Sequence, residues 1–284
     1  MYSIQRLSSV EELREVEEIQ RGIWSIQDAT EVVPLHLLGT AQMNGGLVLG
    51  AFSEGEMIGV LFGFLGRTEG GQWKHCSHMM GVLPDYRRGG VGEALKRRQR
   101  EFVLEQGLDL ITWTVDPLEG VNATLNFSKL GGVSRTYHRS LYGQMRDGLN
   151  RGLPSDRFGV EWWISSQRVE QRLRPEIQRS HLDDLREAGA QLVNPTRVRG
   201  ELREPQDASI RTDASLILVE IPASFQAIKS TSLDLALDWR ENTRTVFEAY
   251  FEAGYIASEF FSVHEDSERR NFYLLQRTVP GLSL

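Results

Sequence analysis

Between Met79 and Leu95 the chain passes from an apolar run, Met79-Met80-Gly81-Val82-Leu83, through Pro84-Asp85-Tyr86-Arg87-Arg88-Gly89-Gly90-Val91-Gly92, into the helix-forming Glu93-Ala94-Leu95. A strand that enters a helix through a glycine-rich turn constrains the fold more than any other feature of these 284 residues. Such a turn leaves several backbone N–H groups without carbonyl partners at the helix start, where the helix dipole adds positive potential. Phosphate or pyrophosphate is the natural occupant, so an anionic cofactor is expected.

Spacing selects among phosphate-binding turns. The Gly-Lys-Ser/Thr of a nucleoside triphosphate loop is absent, and the chain continues from Gly92 to Leu95 where a dinucleotide fingerprint needs a third glycine. What remains, Arg87-x-x-Gly90-x-Gly92 after Val82-x-Pro84, resembles the acyl-CoA signature of the GNAT superfamily of N-acyltransferases. The resemblance implies that the backbone amides of Arg88, Gly89, Gly90, Val91, Gly92 and Glu93 hold the CoA pyrophosphate, with Val82 and Arg87 beside them. Charge points the same way. The chain has 39 acidic against 32 basic residues, a net charge of −7, yet residues 87–100 carry six basic side chains and one acid, Glu93. A local basic patch on an acidic chain suits a small polyanion, whereas nucleic acid needs a broader positive face and is not an expected partner.

With 40% hydrophobic and 25% charged residues, this is an ordinary globular composition, large enough for one big domain or two smaller ones. Met1 to Arg6 lacks the apolar core of a signal peptide, and no run approaches the roughly 18 apolar residues of a membrane span. A cytoplasmic protein without a membrane partner is expected, and a homodimer is compatible with this surface. Cys76 is the one cysteine, which excludes intrachain disulfides and multi-cysteine zinc sites; no metal is expected.

Periodicity supplies the order of elements. Leu7 to Trp24 reads as a helix capped by Ser9 with Glu12 three residues on, and Pro34 to Met43 as a shorter one. The apolar runs 47–52 and 57–64 flank Ser53-Glu54-Gly55-Glu56 as a hairpin. A strand over His75–Leu83, a helix over Gly92–Gln106 and a strand over Leu110–Val115 complete the pattern, which matches a GNAT core: α/β, with a mixed sheet. Asn122 to Gly132, read as a helix ending in Lys129-Leu130-Gly131 before the strand-like Ser134–Tyr142, looks like the family's second signature. The last strand of this part is read over Gly159–Ser165.

Beyond residue 168 the composition shifts. Arg168–Ala190 is a charged helix pattern, and the polar Val193–Asp213 span, with Pro195 and Pro205, reads as a linker. A strand over Leu216–Pro222, a helix over Leu233–Ala253 and a hairpin around His264–Arg270 follow. The division expected is 1–168, a GNAT acyl-CoA-binding catalytic domain; 169–213, helix and linker; and 214–284, a degenerate GNAT-like half. No glycine occurs from Glu201 to Ala253, so any CoA site belongs to the first domain. The tail is expected to dock on that domain and shape the acceptor pocket, or to act as an interaction domain.

Amine acylation by a thioester needs a neutral amine, a polarised carbonyl and a proton for the leaving thiolate. The resemblance implies direct attack, with a backbone N–H of the Ser77–Leu83 strand polarising the carbonyl. His75 and His78 lie on or beside that strand, and His78, nearer the turn, is the expected base. Asp116 is placed to orient the acceptor amine. Many family members put a tyrosine at the position of Phe127 to protonate the thiolate; phenylalanine cannot, and Tyr137 and Tyr142 are the nearby substitutes. Asn122 and Asn126 bind pantetheine amides or substrate, or cap helices, and Lys129 joins the cofactor residues. Cys76 offers a covalent acyl-cysteine route as the runner-up. A little-characterised branch that combines Trp113-Thr-x-Asp-Pro117, Asn122-Ala-x-Leu-Asn-Phe127 and Gly152-Leu-Pro-x-Asp-Arg157 is linked to N-succinylation of amino acids. That similarity implies acetyl-CoA or succinyl-CoA as acyl donor, a small amine or amino acid as acceptor, and an arginine such as Arg157, Arg240 or Arg244 gripping a carboxylate. The alternative is a GNAT-fold CoA-binding or interaction module without catalysis.

Overall fold

The structure is a computed structural model that describes residues 1–143, 152–174, 176, 180–200, 202–211 and 213–282. The chain forms two compact units: residues 1–113 with 163–165, and residues 114–143 and 152–162 with the described part of 166–282. The division falls within one strand, so the composition shift near residue 168 lies inside the second unit.

In the first unit, strands β1 (Tyr2–Arg6), β2 (Leu47–Ser53), β3 (Glu56–Arg67) and β4 (Trp73–Val82) pair antiparallel in sequence order. The start of β5 (Leu110–Val115) joins β4 in parallel through His75↔Ile111 and Cys76↔Thr112. Both faces of this sheet are covered, which is why β2 and β3 read as continuous apolar runs. Helix α1 (Val10–Trp24) starts on a capping box: Ser9 Oγ accepts the Glu12 N–H at 3.2 Å, and Glu12 Oε2 accepts the Ser9 N–H at 2.9 Å. Its stripe of Leu13, Val16, Ile19 and Ile23 packs, beside α2 (Leu35–Met43), on Val48, Val60 and Phe62. Helix α3 (Val91–Glu105) covers the opposite face through Val91 and Leu95, packed on Leu47, Leu49, Ile58, Leu61 and Val82.

Strand β4 changes register in mid-course. Phe62 pairs with Met79 and Gly63 with Ser77, so His78 is the extra residue of a β-bulge. The bulge reverses the alternation. Ser77 and Lys96 meet on the α3 side, and beyond the bulge Met80 and Val82 pack on that same side, whereas Met79 joins the α1 core.

In the second unit β7 (Arg157–Trp163), β6 (Val133–His138), β12 (Ile256–Glu265), β13 (Glu268–Gln276), β11 (Leu216–Ile221) and β8 (Gln191–Leu192) lie in that order. Helix α8 (Leu233–Glu252) starts at Ser232, whose Oγ accepts the Leu235 N–H at 3.2 Å, and buries Ala236, Trp239, Thr243, Val246, Phe247 and Tyr250. An aromatic core joins the elements: Phe158 lies 4.7 Å from Phe247 and 5.5 Å from Tyr273 between ring centroids. The β12–β13 hairpin turns at Asp266 and Ser267, with φ of 49° and 66°, the conformation a two-residue hairpin loop needs.

Several elements differ from the sequence reading. The span read as a linker holds a hairpin of β9 (Thr196–Arg199) and β10 (Leu202–Pro205). Two short helices, α5 (Gln167–Arg172) and α6 (Leu182–Glu187), take the place of one charged helix over 168–190. The helix expected from Asn122 is a short α4 (Gly120–Ala123) that runs into a π-helical stretch over Thr124–Lys129. Helix α7 (Phe225–Thr231), capped by Ser224, had no counterpart in the sequence reading. Strands β11 and β12 both pair with β13 rather than with each other, unlike the direct β4–β5 pairing. No helix among the described residues is long and apolar enough to cross a membrane.

Candidate functional site

The turn after β4 is built by short local bonds. Arg87 N–H reaches the Pro84 carbonyl at 3.3 Å and Gly89 N–H the Tyr86 carbonyl at 3.2 Å. Gly90 then takes φ +78° and ψ 0°, a left-handed conformation natural only to glycine, and occupies the N-cap position without any side-chain cap. The first helical bond is Ala94 N–H to the Gly90 carbonyl, 3.1 Å, so the amides of Val91, Gly92 and Glu93 precede the helical ladder. Above them the surface is open. A Cβ on Gly89 or Gly90 would meet nothing nearer than 3.5 Å. Gly92 is an ordinary helical residue, so its lack of a side chain is not required by φ.

The basic patch is largely spent on the protein itself, which corrects the charge reading. Arg87 points back, with Nε on the Val82 carbonyl at 3.1 Å and Nη2 on the Ile23 carbonyl at 3.0 Å, so it braces the turn. Arg97 pairs with Glu93 at 2.9 Å, Arg98 with Glu101 at 2.9 Å, and Arg100 donates to the Ile164 carbonyl at 2.8 Å. Lys96 is 2% exposed. Arg88 alone of the six has neither a side-chain hydrogen bond nor an ion pair among the described residues, and it is exposed.

Lys96 anchors a buried polar cluster under α3. Its Nζ lies 2.8 Å from Ser77 Oγ, 3.2 Å from Gln99 Oε1 and 3.6 Å from the centroid of the Trp113 ring, and burial pushes its pKa well below the ordinary value. His75 is fully buried beside it, edge-on to Phe102, with neither ring nitrogen hydrogen-bonded. Gly63 gives the room: a Cβ there would come within 2.3 Å of His75 Nε2. Burial and the Lys96 charge lower the His75 pKa from 6.5 to about 4. His75 is therefore neutral and structural, and stability follows. Between these pH values the unfolded chain binds the proton and the folded one does not. Stability is complete above pH 6.5 and falls by about 3 kcal/mol as pH drops towards 4, by linkage. Urea unfolding at pH 7 and pH 4.5 should show that loss in the wild type and a smaller one in His75→Leu; equal losses would contradict the assignment.

His78, on the bulge, is exposed and lies edge-on to Phe62 at 5.7 Å and tilted against Phe64 at 5.9 Å. Desolvation by these neighbours holds its pKa below the ordinary value, and no hydrogen bond orients it among the described residues. Beyond Cys76↔Thr112 the β4–β5 ladder stops among the described residues, so β4 carries backbone groups past the bulge that β5 does not pair. Cys76 is half-buried, with Sγ against the Gly66 backbone.

The second unit gathers a separate set of charged groups. Asp116 follows β5 and is gripped bidentately by Arg240, Nη1–Oδ1 2.8 Å and Nη2–Oδ2 2.6 Å; its Oδ1 also accepts the Leu118 N–H at 2.9 Å. Arg157 Nη1 stands 3.6 Å from Oδ2. Asp116 is thus committed to arginine rather than open to an amine. Burial disfavours the Arg240 charge, yet Asp116 more than offsets this and its pKa is raised. Tyr137 donates to Asp156 Oδ2 at 2.8 Å, which Arg244 Nε also reaches at 2.7 Å. Burial and the Asp156 charge push the Tyr137 phenol up, so it is a locked structural hydroxyl. Burial works against the Asp156 carboxylate, but Arg244, the Ser140 N–H and Tyr137 together hold it below its ordinary value. Tyr142 is 55% exposed, its hydroxyl 2.8 Å from Thr114 Oγ1.

In the π-helical stretch, Leu130 N–H bonds the Leu125 carbonyl at 2.9 Å and Gly132 N–H the Asn126 carbonyl at 2.8 Å, a widened turn of the kind frequent at functional sites. Asn122 is exposed and Asn126 is 3% exposed; neither caps a helix, since α4 begins at Gly120. Lys129 is half-buried at the end of this stretch. Phe127 is fully buried against Phe158 and Tyr273, so the position where a tyrosine was the family expectation is core here.

Sequence reading missed Glu119. It sits at the N-cap position of α4 without capping it, and Oε1 accepts Gln226 Nε2 of α7 at 2.6 Å. Its partner is 107 positions away, so no local signal exists. Among the described residues no group of three or more histidine, cysteine or carboxylate side chains is placed to hold a metal ion.

The acetyltransferase (GNAT) family model matches residues 12–131. These residues are a GNAT acetyltransferase domain. This domain is of the acyltransferase class, and the fold of the chain is mixed α/β. Similar solved structures include the ribosomal-protein-S18-alanine N-acetyltransferase of Escherichia coli, 17% identical, covering 63% of this chain and 100% of that one with a TM-score of 0.45. A GNAT-family acetyltransferase of Streptococcus pneumoniae is 16% identical over 57% of this chain and 98% of its own, TM-score 0.46. Arabidopsis thaliana Naa50, solved with the bisubstrate analogue CoA-Ac-MVNAL, is 15% identical over 56% and 97%, TM-score 0.43. No curated protein matches the chain.

Proposed function

We propose that this GNAT chain transfers an acyl group from acyl-CoA to the nitrogen of a small amine or amino acid by direct attack. One observation carries the proposal: an uncapped helix N-terminus behind a left-handed glycine, open above Gly89 and Gly90, at the end of the strand that carries the bulge. The amides of Val91, Gly92 and Glu93, with Gly90 before them, would hold the CoA pyrophosphate, and Arg88 would add a free cation. An amide on the β4 edge past His78 would polarise the thioester carbonyl. Arg87 acts indirectly, by bracing the turn. Tyr142 is the better proton donor to the thiolate, since the Tyr137 hydroxyl is bound to Asp156. The three arginines read as carboxylate grips are engaged by the protein itself: Arg240 and Arg244 hold Asp116 and Asp156, and the buried Arg157 donates to the Asp156 carbonyl at 2.9 Å and stands 3.6 Å from Asp116.

The test is thiol release from acetyl-CoA and succinyl-CoA across a panel of primary amines and amino acids. Sustained release with at least one pair is expected, and the preferred donor names the acyl group. CoA binding without release from any pair would instead support a non-catalytic module.

A further inference from the structure

The residue just before the β4 bulge is held from the α3 side by polar groups. Ser77 Oγ donates to Gln99 Oε1 at 3.1 Å and accepts from Lys96 Nζ at 2.8 Å, while Nζ also donates to Gln99 Oε1 at 3.2 Å. The triangle is closed to solvent, with Ser77 5%, Lys96 2% and Gln99 0% exposed. No carboxylate pairs with Lys96 among the described residues, so its amine depends on these two oxygens and on the Trp113 ring 3.6 Å away. A buried amine stripped of such partners is costly, and buried polar groups that must find one another are a known means of fixing register.

Its place gives the triangle a task. Among the described residues, Ser77 follows Cys76, the last residue of β4 paired with β5, and Trp113 follows Thr112, the last of β5 paired with β4. His78, the extra residue of the bulge, comes next. Without the bulge Gly63 would pair with His78 instead of Ser77, and the preceding part of the strand would turn over. Cys76 and His78 would then face α3, and the Ser77 hydroxyl would enter the apolar α1 side that holds Phe62, Phe64 and Met79. We propose that the Lys96–Ser77–Gln99 triangle is the pin that sets this register, so that Lys96 and Gln99 are positioning residues for acyl transfer, a role that rests on the acyltransferase reading above. Their action is indirect. By holding Ser77 to α3 they keep His78 in the bulge, and the β4 amides beyond it stay unpaired by β5 and free for the thioester carbonyl. The same helix presents the amides of Val91, Gly92 and Glu93 in its first turn, so α3 ties the register of the strand to the cofactor turn.

The experiment joins a register measurement to kinetics on the full chain: cross-strand NOEs from Gly63, and thiol release from acetyl-CoA with the best amine found for the wild type. The variants are Ser77→Val, Ser77→Thr, and Ser77→Val combined with Lys96→Met. In the wild type Gly63 should contact Ser77. Ser77→Val should shift that contact to His78 and lower kcat by at least about tenfold, with KM for acetyl-CoA within about threefold, because the turn at the start of α3 is untouched. Ser77→Thr keeps the hydroxyl and should keep both register and turnover. The double variant removes the stranded amine, so it folds even where Ser77→Val does not, and it should show Gly63 contacts to both residue 77 and His78. A contact to residue 77 alone in either valine variant overturns the pin. A shifted contact with unchanged kcat overturns the positioning role. A wild type that releases no thiol with any amine ends the acyltransferase reading, and the NOEs still decide the register.

Discussion

Gly90→Val is expected to weaken CoA binding by at least about a hundredfold, close to 2.7 kcal/mol, while the domain stays folded. The expected loss comes from the backbone. At φ +78° an L-residue is strained by about 1–2 kcal/mol, and a β-branched one by more. Packing contributes nothing, since a Cβ there meets only the Tyr2 hydroxyl at 3.5 Å. The strain is relieved only if φ turns negative, which rotates the peptide before Val91 and breaks the row of amides. The valine side chain would also stand in the open face of the turn. Isothermal titration with CoA measures the effect; affinity within threefold of the wild type would show that the turn does not hold the cofactor.

Asp116→Ala should destabilise the protein by about 3–5 kcal/mol, the usual consequence of leaving a buried charge without its partner. Arg240 is 1% exposed and its Nε is already without a hydrogen bond, so Asp116 provides the compensation together with the Phe225 ring 4.9 Å away. Replacing both members, Asp116→Ala with Arg240→Met, should recover much of the loss, because no uncompensated charge remains. Urea unfolding at pH 7 separates this from a substrate-orienting role. A loss under 1 kcal/mol in the single variant would mean that Asp116 is free for the acceptor after all.

Local chemistry explains what the sequence disclosed. Ser9 and Glu12 announce α1, Glu54-Gly55 the β2–β3 turn, and the glycines after Arg87 the start of α3, because each signal and its effect lie within a few residues. The bulge at His78 was hidden because Lys74-His75-Cys76-Ser77-His78 puts polar residues on both faces of the strand, so the sequence has no clean apolar alternation in which a slip of register would show as a break. Thr196–Arg199 and Leu202–Pro205 are too short and polar to read as strands, yet they pair with each other, and Arg197 and Arg199 both engage Glu204. Side-chain commitments were the least legible. Arg87 looked like a phosphate ligand but bonds the Ile23 carbonyl, 64 positions away, and Asp116 looked like an amine ligand but belongs to Arg240, 124 positions on. Such pairings depend on tertiary placement, which neither motif nor period encodes.

The account rests on CoA lying over the first turn of α3, and Gly92 tests this without backbone strain, since its φ is helical. Glycine and valine differ by only a few tenths of a kcal/mol in helix propensity, so Gly92→Val should melt close to the wild type. CoA at a hundred times its dissociation constant should stabilise the wild type by about 2.7 kcal/mol and leave Gly92→Val unchanged at the same concentration. Equal stabilisation of the two proteins, or none in the wild type with CoA, acetyl-CoA or succinyl-CoA, would contradict it.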